Sequence, residues 1–329
     1  MMDDAFQPRG EDRPEDSRAN AGVHRLIELS SPEVEGLAAS GAVVVLPISP
    51  LEEHGPHLPL GTDALLAEHF AGLCAEILRE QKPETPVVVA PLIPLGAHVF
   101  RFMGSINIRQ RVIRNLLVDC GGSLSKAGFD QLIIVSSHGG PRHMVALDEA
   151  ATALSRRHRI KTISLTSQII FRFLSGKLVD RISDACERPL TDEERTALTM
   201  DYHGGWWETA MMLMLRPDLV ADDYTELRDA LVPRHKLRHN TPLNPPAGQG
   251  YLGAPGRADA SFAKASLVVL RQEAEQIIGD FLSGQQKMKR FRSPLYRMPL
   301  FRTNFWIWVI VAVVAVLIAI RVLSQQLMQ

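Results

Sequence analysis

The fold is decided by one stretch of the chain, Leu46-Pro-Ile-Ser-Pro-Leu-Glu-Glu-His-Gly-Pro-His-Leu-Pro-Leu-Gly-Thr-Asp63. It follows the apolar, β-branched run Ala42–Leu46, which predicts a buried strand. It precedes Ala64–Leu78, whose apolar spacing predicts a helix capped by Thr62 or Asp63. The prolines and glycines between them fix an irregular backbone, so that polar side chains can converge at the carboxyl end of a strand. Open α/β sheets place their ligand crevices at that position.

Three side chains of this stretch belong to the types that bind divalent metals, namely Glu52, His54 and Asp63. Glu52 and His54 are two residues apart, so in an extended chain they point to the same side. Asp63 follows at the start of the predicted helix, where a carboxylate is favoured. The alternative interpretation is that Asp63 only caps the helix and that the histidines fill a polar turn.

Strand and helix patterns alternate through the first half of the chain. Further strands are predicted at Thr85–Leu95, Gln131–Val135 and Lys161–Leu165, and helices at Val112–Ala127 and Met144–Arg157. A long amphipathic helix at Ala263–Leu282 is expected to close the domain, after a polar insertion at Ser183–Met200. This order favours an α/β fold with a mainly parallel sheet covered by helices on both faces.

Several blocks, in the same order, resemble the creatininase (creatinine amidohydrolase) family over roughly residues 25 to 282. The stretch Pro47–Asp63 resembles the family's signature, and Ser136–Gly140 keeps the His-Gly-Gly of a second block. Asp201–Ala210 resembles the family's His-Ala-Gly-x-x-Glu-Thr-Ser block. The resemblance implies a three-layer α/β/α creatininase-like domain at residues 23–283, a small-molecule amide substrate and a homo-oligomer, often a hexamer.

The resemblance also implies a site for two divalent metal ions, with zinc, manganese or iron as the expected metals. Asp63 would contact both ions, Glu52 and His138 would complete one, and His54 the other. Creatininase proper has a glutamate where this chain has Gly140. Glu208 is therefore the expected replacement ligand.

Histidine and aromatic residues near this site carry further predictions. His203 resembles the family's proton-transferring histidine, so His203 and Glu208 are the predicted catalytic residues, with a purely structural histidine as the alternative. Core packing is an equally open interpretation for the two tryptophans. Residues expected to line the substrate pocket are His98, Phe102, Gly139, Trp206 and Trp207.

Three functions follow from these observations. The first is a metal-dependent amidohydrolase that cleaves a non-peptide C–N bond, of cyclic amide or formamide type, with a metal-activated water. The second is a membrane-tethered peptide-processing hydrolase of the same family. The third is a non-catalytic scaffold, because Ser136, Ser137, Pro141 and Ala254 depart from the family's residues.

Composition excludes some classes of partner and compartment. The formal net charge of −1 over 329 residues gives no indication of a nucleic-acid partner. The 3 cysteines are widely spaced and odd in number, which argues against a disulfide framework and suits a reducing compartment. Residues 1–22 are polar and without an apolar core, which predicts a disordered tail rather than a secretory signal.

The composition changes abruptly after Ser283. Residues 284–303 form a basic juxtamembrane linker in this interpretation, with Lys287, Lys289, Arg290, Arg292, Arg297 and Arg302. Residues 304–323 are apolar enough for a transmembrane helix, since about 19 residues at ~1.5 Å each reach ~28 Å. The basic flank predicts a single-pass tail anchor with the catalytic domain in the cytoplasm. The alternative is a helix buried in an oligomer interface.

Overall fold

A computed structural model describes residues 22–244, 248–284 and 288–327. The predicted disordered tail and Lys287 lie outside these ranges, apart from residue 22. The centre of the fold is a five-stranded sheet in the order β1-β3-β2-β4-β5. Its strands are β1 (Val23–Arg25), β2 (Val43–Pro47), β3 (Val87–Val89), β4 (Gln131–Val135) and β5 (Lys161–Ser164). All pairings among these strands are parallel, as the alternating pattern predicts.

Helices cover both faces of the sheet, which confirms the three-layer α/β/α prediction. Val44 and Leu46 face one layer, whereas Val43 and Val45 face the other, because successive strand side chains alternate. The first layer contains α1 (Ser31–Ala39), α3 (Gln110–Lys126) and α4 (Pro141–Arg157). The second contains α2 (Thr62–Gln81), α5 (Leu165–Leu174), α6 (Val179–Ala185), α7 (Asp192–Leu198), α8 (Trp206–Leu215) and α9 (Ala260–Ser283).

Local details differ from the sequence prediction at two places. The run at 85–95 forms only the short strand β3, because Pro91 and Pro94 cannot donate to a ladder. The prediction that Thr62 or Asp63 caps α2 is wrong, because Gly61 is the cap residue. Asp63 lies in the first helical turn, and its carboxylate faces the neighbouring histidines.

The long apolar C-terminal helix is present as α10 (Phe305–Leu327). Within the described residues, one helix is long and apolar enough to cross a membrane, spanning Phe305–Gln326 with a mean hydropathy of 2.8. None of its most apolar stretch is buried within the protein. A helix that exposes apolar side chains on all sides fits a transmembrane helix.

Residues 290–304, which lie between α9 and α10, pack against the domain and are called the arm below. The backbone N–H and hydroxyl of Ser293 donate to the buried carboxylate of Asp148, at 2.9 and 2.7 Å. The guanidinium groups of Arg292 and Arg302 lie 4.6 and 3.6 Å from the ring centre of Tyr296. Two arginines of the predicted basic linker are therefore used in packing, since cations stack favourably on aromatic rings.

Asp148 makes the attachment of the arm dependent on pH. Burial raises its pKa to about 7, against an ordinary value of 3.8, although Ser293 lowers it in part. The folded protein thus keeps the proton of Asp148 to higher pH than the unfolded chain, so stability is lost as the pH rises towards 7. We expect Asp148→Asn to be more stable than wild type at pH 8, and this difference in the free energy of unfolding to shrink by on the order of 2 kcal/mol between pH 8 and pH 5.

Thermal unfolding of both proteins from pH 5 to pH 8 measures this difference. Asp119→Asn, on the exposed face of α3, is the matched control and should keep the wild-type pH dependence. Parallel pH profiles for Asp148→Asn and wild type would contradict the prediction.

Candidate metal centre

The loops that follow two adjacent strands bring the predicted ligands to one edge of the sheet. Strands β2 and β4 pair up to Pro47 and Val135, so both end at the same edge. The loop after β2 carries Glu52 and His54, and the loop after β4 carries His138. The first turns of α2 and α8 add Asp63 and Glu208. The structure therefore brings together all five predicted ligands, four of them buried and Glu208 nearly so.

Two clusters of ligand atoms meet at Asp63. In the first, Nδ1 of His138 lies 3.0 Å from Oε2 of Glu52 and 3.1 Å from Oδ2 of Asp63. In the second, Nε2 of His54 lies 3.8 Å from Oδ2 of Asp63 and 3.7 Å from Oε2 of Glu208. Each set of three offers ligand atoms within 4.8 Å of one another.

Three of the inward atoms form no hydrogen bond of ordinary geometry among the described residues, although Nδ1 of His138 lies 3.0 and 3.1 Å from two of them. They are Oε2 of Glu52, Nε2 of His54 and Oδ2 of Asp63. Buried polar atoms without partners are costly, by about 1–3 kcal/mol each and more for charged groups. A bound cation would satisfy all three, and carboxylate with imidazole is a donor set that divalent metals take. The residues present therefore fit a metal centre.

Hydrogen bonds behind the cluster fix which nitrogen of each imidazole faces inward. Nδ1 of His54 donates to the carbonyl of Glu52 at 2.9 Å, and Nε2 of His138 donates to the carbonyl of Ala97 at 3.2 Å. In the neutral form of each ring, the opposite nitrogen then carries the lone pair that a metal ligand requires. The hydroxyl of Ser137 is shared between the backbone carbonyl of Asp63 at 2.6 Å and its Oδ1 at 3.1 Å, which leaves Oδ2 directed into the cluster.

The pKa values at the site reflect burial opposed by mutual attraction. Burial would raise the pKa of Asp63, but the imidazoles of His138 and His54 hold it below its usual range. For Glu208, burial dominates and raises the pKa to about 7, although His54 opposes this. For His54, burial would lower the pKa, but the carboxylates of Glu208 and Asp63 raise it. Asp63 therefore carries its negative charge at neutral pH, as a carboxylate ligand of a cation must.

His203 lies beside both clusters without completing either. Its Nε2 donates to the carbonyl of Glu53 at 2.6 Å, and its ring centre is 4.2 Å from that of His54. Burial and the charge of His54 lower the pKa of His203 to about 4. His203 also forms a possible ligand group with Glu52 and His54.

Asp201 holds the start of α8 in place. Its carboxylate accepts hydrogen bonds from the backbone N–H groups of Trp206 and Trp207, at 2.7 and 2.8 Å. Since these N–H groups have no partner inside the helix, the carboxylate stabilises its first turn. Asp201 thereby positions His203 on one side of the turn and Glu208 on the other.

A cavity of about 510 Å³ adjoins the cluster at His138, His203 and Glu208. Of the predicted pocket residues, His98 and Gly139 line it. Its other lining residues are Phe100, Gly140, Pro141, Met144, Phe171, Leu174, Tyr202, Arg234, Leu237, Arg238, His239, Leu295 and Phe301.

Phe102, Trp206 and Trp207 are not among the residues that line this cavity. Phe100 is there instead of Phe102, because its backbone N–H bonds the carboxylate of Glu52 and draws residue 100 towards the cluster. The ring of Trp206 stacks on Phe262 of α9 at 4.5 Å between centres, so core packing is the correct interpretation for this tryptophan. Trp207 donates its ring N–H to Ser266 and borders a smaller, mainly apolar cavity of about 70 Å³ that also reaches His203 and Glu208.

Sequence reasoning missed several residues around the cavity. Arg234 and Arg238 come from short turns between 222 and 243, where no periodic pattern predicts a structure. Leu295 and Phe301 come from the arm, which was interpreted as a linker. Ser137 was counted as a departure from the family pattern, although its hydroxyl contacts Asp63. The pairing of hydroxyl-bearing Ser49 with Ser136 and Ser137 was likewise visible only in the structure.

Solved structures similar to this chain share its fold. One described as "Creatininase Mn" superposes with a TM-score of 0.57 and 22% identity, covering 78% of this chain and 98% of that chain. A putative creatinine amidohydrolase from Bacteroides fragilis gives a TM-score of 0.56 and 21% identity, covering 80% and 97%. At these identities the likeness shows the fold alone.

Curated relatives are named as peptidases. The "mycofactocin precursor peptide peptidase" of Mycolicibacterium smegmatis is 29% identical over 214 residues, which cover 62% of this chain and 72% of that protein. The protein of the same name from Mycobacterium tuberculosis is 34% identical over 130 residues, which cover 37% and 51%. The chain thus matches about half the length of this second relative.

The family model for creatininase, described as creatinine amidohydrolase, matches residues 27–278. This range contains the four strands β2 to β5 and every residue of the two clusters. The chain therefore belongs to the creatininase family of hydrolases.

Proposed function

We propose that the protein is a metal-dependent amidohydrolase with two divalent ions held at the clusters that share Asp63. The observation that carries the proposal is the set of inward ligand atoms without partners, on Glu52, His54 and Asp63. Glu52 and His138 would hold one ion with Asp63, and His54 and Glu208 the other. The bound ions would supply a strong nucleophile from water and polarise the substrate carbonyl. The identity of the metals, zinc, manganese or iron, stays a prediction.

The protein's own residues then have three tasks. The carboxylates of Glu52 and Asp63 concentrate negative charge where the positive ions are needed, and the ring orientations of His54 and His138 are fixed from behind. His203 stands next to the cluster and lines the cavity; because its pKa is about 4, it is a neutral base that would take a proton from the attacking water before giving it to the leaving nitrogen. The cavity walls exclude water from the rest of the substrate.

Adjacent glutamates provide a matched test of the metal centre. Glu52→Gln removes a charged ligand, and we expect it to lower bound Zn²⁺ or Mn²⁺ and to reduce amide hydrolysis by at least about 100-fold. Glu53 is the control, because its side chain bonds the N–H of Gly55 and is outside both clusters. Glu53→Gln should keep wild-type metal content and activity.

Metal analysis of the purified full-length proteins gives the first readout, and hydrolysis of a panel of small amides and formamides gives the second. Wild-type metal content in Glu52→Gln would overturn the proposed ligand set. Full hydrolysis by chelator-treated wild type would overturn metal dependence.

The role of His203 is separable from metal binding. If it transfers a proton, His203→Ala should keep the bound metal and lower kcat by about 10²–10⁴, with little change in KM. If it is a ligand, metal content should fall together with activity. Metal analysis alongside steady-state kinetics decides between these outcomes. An unchanged kcat in His203→Ala would contradict both proton transfer and metal ligation by His203.

The bond that is cleaved is proposed to be a C–N bond outside a peptide, with cyclic amides and formamides as the simplest forms. A second candidate, peptide processing, is favoured by the names of the curated relatives and by the size of the cavity. Short peptides and small amides should be assayed with the same enzyme sample, with Glu52→Gln as background. We expect faster turnover of the small amides, and turnover of peptides alone would establish the second candidate.

The two preserved clusters of candidate ligands argue against the third function, a scaffold without activity.

The attachment to a membrane is also a proposal. We infer that α10 is a single-pass anchor with the catalytic domain on the cytoplasmic side, because the basic residues precede the helix. The exposed residues Arg297, Met298 and Leu300, together with Trp306 and Trp308, combine cationic, apolar and aromatic groups as a membrane interface requires. The division into a domain at 23–283 and a helix at 304–323, and assembly as a homo-oligomer, stay predictions.

A further inference from the structure

The arm does more than connect the domain to α10, because two of its side chains reach the catalytic cavity. Leu295 and Phe301 line the cavity together with His138, His203 and Glu208. Leu295 and Phe301 are partly buried, whereas Met298 and Leu300 between them are exposed to solvent, at 49% and 48%. The arm thus presents one apolar side to the cavity and another to solvent.

Hydrogen bonds at both ends hold the arm in this position. Ser293 is fully buried and bonds Asp148 through its backbone and side chain. Thr303 donates its backbone N–H to Glu149 at 3.2 Å, and the carbonyl of Phe301 accepts from Gln110 at 2.8 Å. The positions of Leu295 and Phe301 are therefore set by α3 and α4, which belong to the domain.

The walls of the cavity are mainly apolar away from the metal centre. Met144, Phe171, Leu174 and Leu237 face it in addition to the two arm residues. Such a surface gains free energy when it is covered by apolar groups of a ligand, at roughly 25 cal/mol per Å². A small polar amide would leave most of it uncovered.

Two cations also line the cavity, on Arg234 and Arg238. Among the described residues, neither forms an ion pair with a carboxylate. Arg234 lies 5.7 Å from the ring centre of Phe171, within the apolar wall. An arginine that lacks an acidic partner at a binding cavity is suited to an anionic ligand group, above all a carboxylate.

The cavity is also close to the start of the proposed anchor. Phe305 follows Phe301 by four residues, and an extended chain covers at most ~3.6 Å per residue, so the two lie within roughly 14 Å. An amphiphile that partitions into the membrane surface would thus be concentrated near the cavity.

We propose that the arm completes the substrate site, with Leu295 and Phe301 as specificity-determining residues for amides that carry both an apolar acyl chain and a carboxylate. The inference rests on the proposed function and narrows its substrate class to N-acyl amino acids. Water adds across the C–N bond: the acyl carbon takes the oxygen and becomes a carboxylic acid, and the nitrogen takes the proton and leaves as the free amino acid. The acyl chain lies along the arm, and the carboxylate of the amino acid pairs with Arg234 and Arg238.

The test compares hexanoylglycine with acetylglycine as substrates of the full-length protein in lipid nanodiscs, with release of glycine as the readout. Wild type should prefer the longer chain in kcat/KM. Phe301→Ala and Leu295→Ala should each lower kcat/KM for hexanoylglycine by about tenfold and lower it much less for acetylglycine. Leu300→Ala, on the exposed side of the arm, is the matched control and should behave as wild type. An equal loss for both substrates in both variants would overturn the role of the arm.

The carboxylate is tested with hexanoylethanolamine, which has the same acyl group without the charge. Replacement of Arg234 and Arg238 by glutamine should lower kcat/KM for hexanoylglycine by about tenfold or more and leave hexanoylethanolamine unchanged. Equal activity of wild type towards the two amides would overturn the assignment of the carboxylate.

A binding measurement separates failure of this inference from failure of the proposed function. Hexyloxyacetic acid has the chain and the carboxylate but no amide, so its binding does not depend on hydrolysis. If no amide is hydrolysed but calorimetry shows tighter binding of hexyloxyacetic acid than of methoxyacetic acid, and Phe301→Ala abolishes the difference, the arm's role stands and the proposed function fails. If amides are hydrolysed without any chain-length preference and the two ethers bind alike, the proposed function stands and the arm's role fails.

Discussion

The parallel pairing of β2 with β4 is the constraint on which the site depends. Their register runs from Val43 opposite Gln131 to Pro47 opposite Val135, so both strands deliver the chain to the same edge. The backbone N–H of Ile48 continues the ladder by donating to the carbonyl of Val135. A slip of one residue would turn every side chain of β2 to the opposite face and separate Glu52 from His138. The apolar layers on both faces of the sheet fix this register, and the register keeps the candidate ligands Glu52 and His138 close together.

The cluster itself works against stability. Glu52 and Asp63 are carboxylates buried within a few ångströms of each other, and burial of unpaired charge is costly. Hydrogen bonds from Ser137 and from the N–H of Phe100 satisfy one oxygen of each, and the other oxygen is left inward. The structure therefore keeps a local cost at the site, which the binding of a cation would remove. Buried carboxylates that lower stability in this way are typical of a functional site, because they add nothing to the packing of the core.

The sequence predicted the parts of the fold that depend on local pattern. The strands Gln131–Val135 and Ala42–Leu46, and helices such as Ala263–Leu282, follow from apolar periodicity and lie within a few residues of their observed bounds. The motifs place the five candidate ligands at strand ends and first helical turns, and the structure brings these side chains together. Strand β1 and the position of the arm could not be predicted, because each takes its conformation from partners far along the chain. Phe100 and Phe102 could not be distinguished either, because the choice rests on one backbone hydrogen bond to Glu52.

The attachment of the arm changes how membrane anchoring is understood. A flexible basic linker would let the domain rotate freely above the membrane, and the anchor would then supply only proximity. In this structure Ser293 and Thr303 are bonded to consecutive residues of α4, Asp148 and Glu149, and α4 begins beside the metal centre at Pro141. The anchor, the arm, α4 and the loop that carries His138 thus form one continuous path. A membrane that fixed α10 would fix the orientation of the cavity as well, so the proposed anchor would set how a substrate enters in addition to where the enzyme resides.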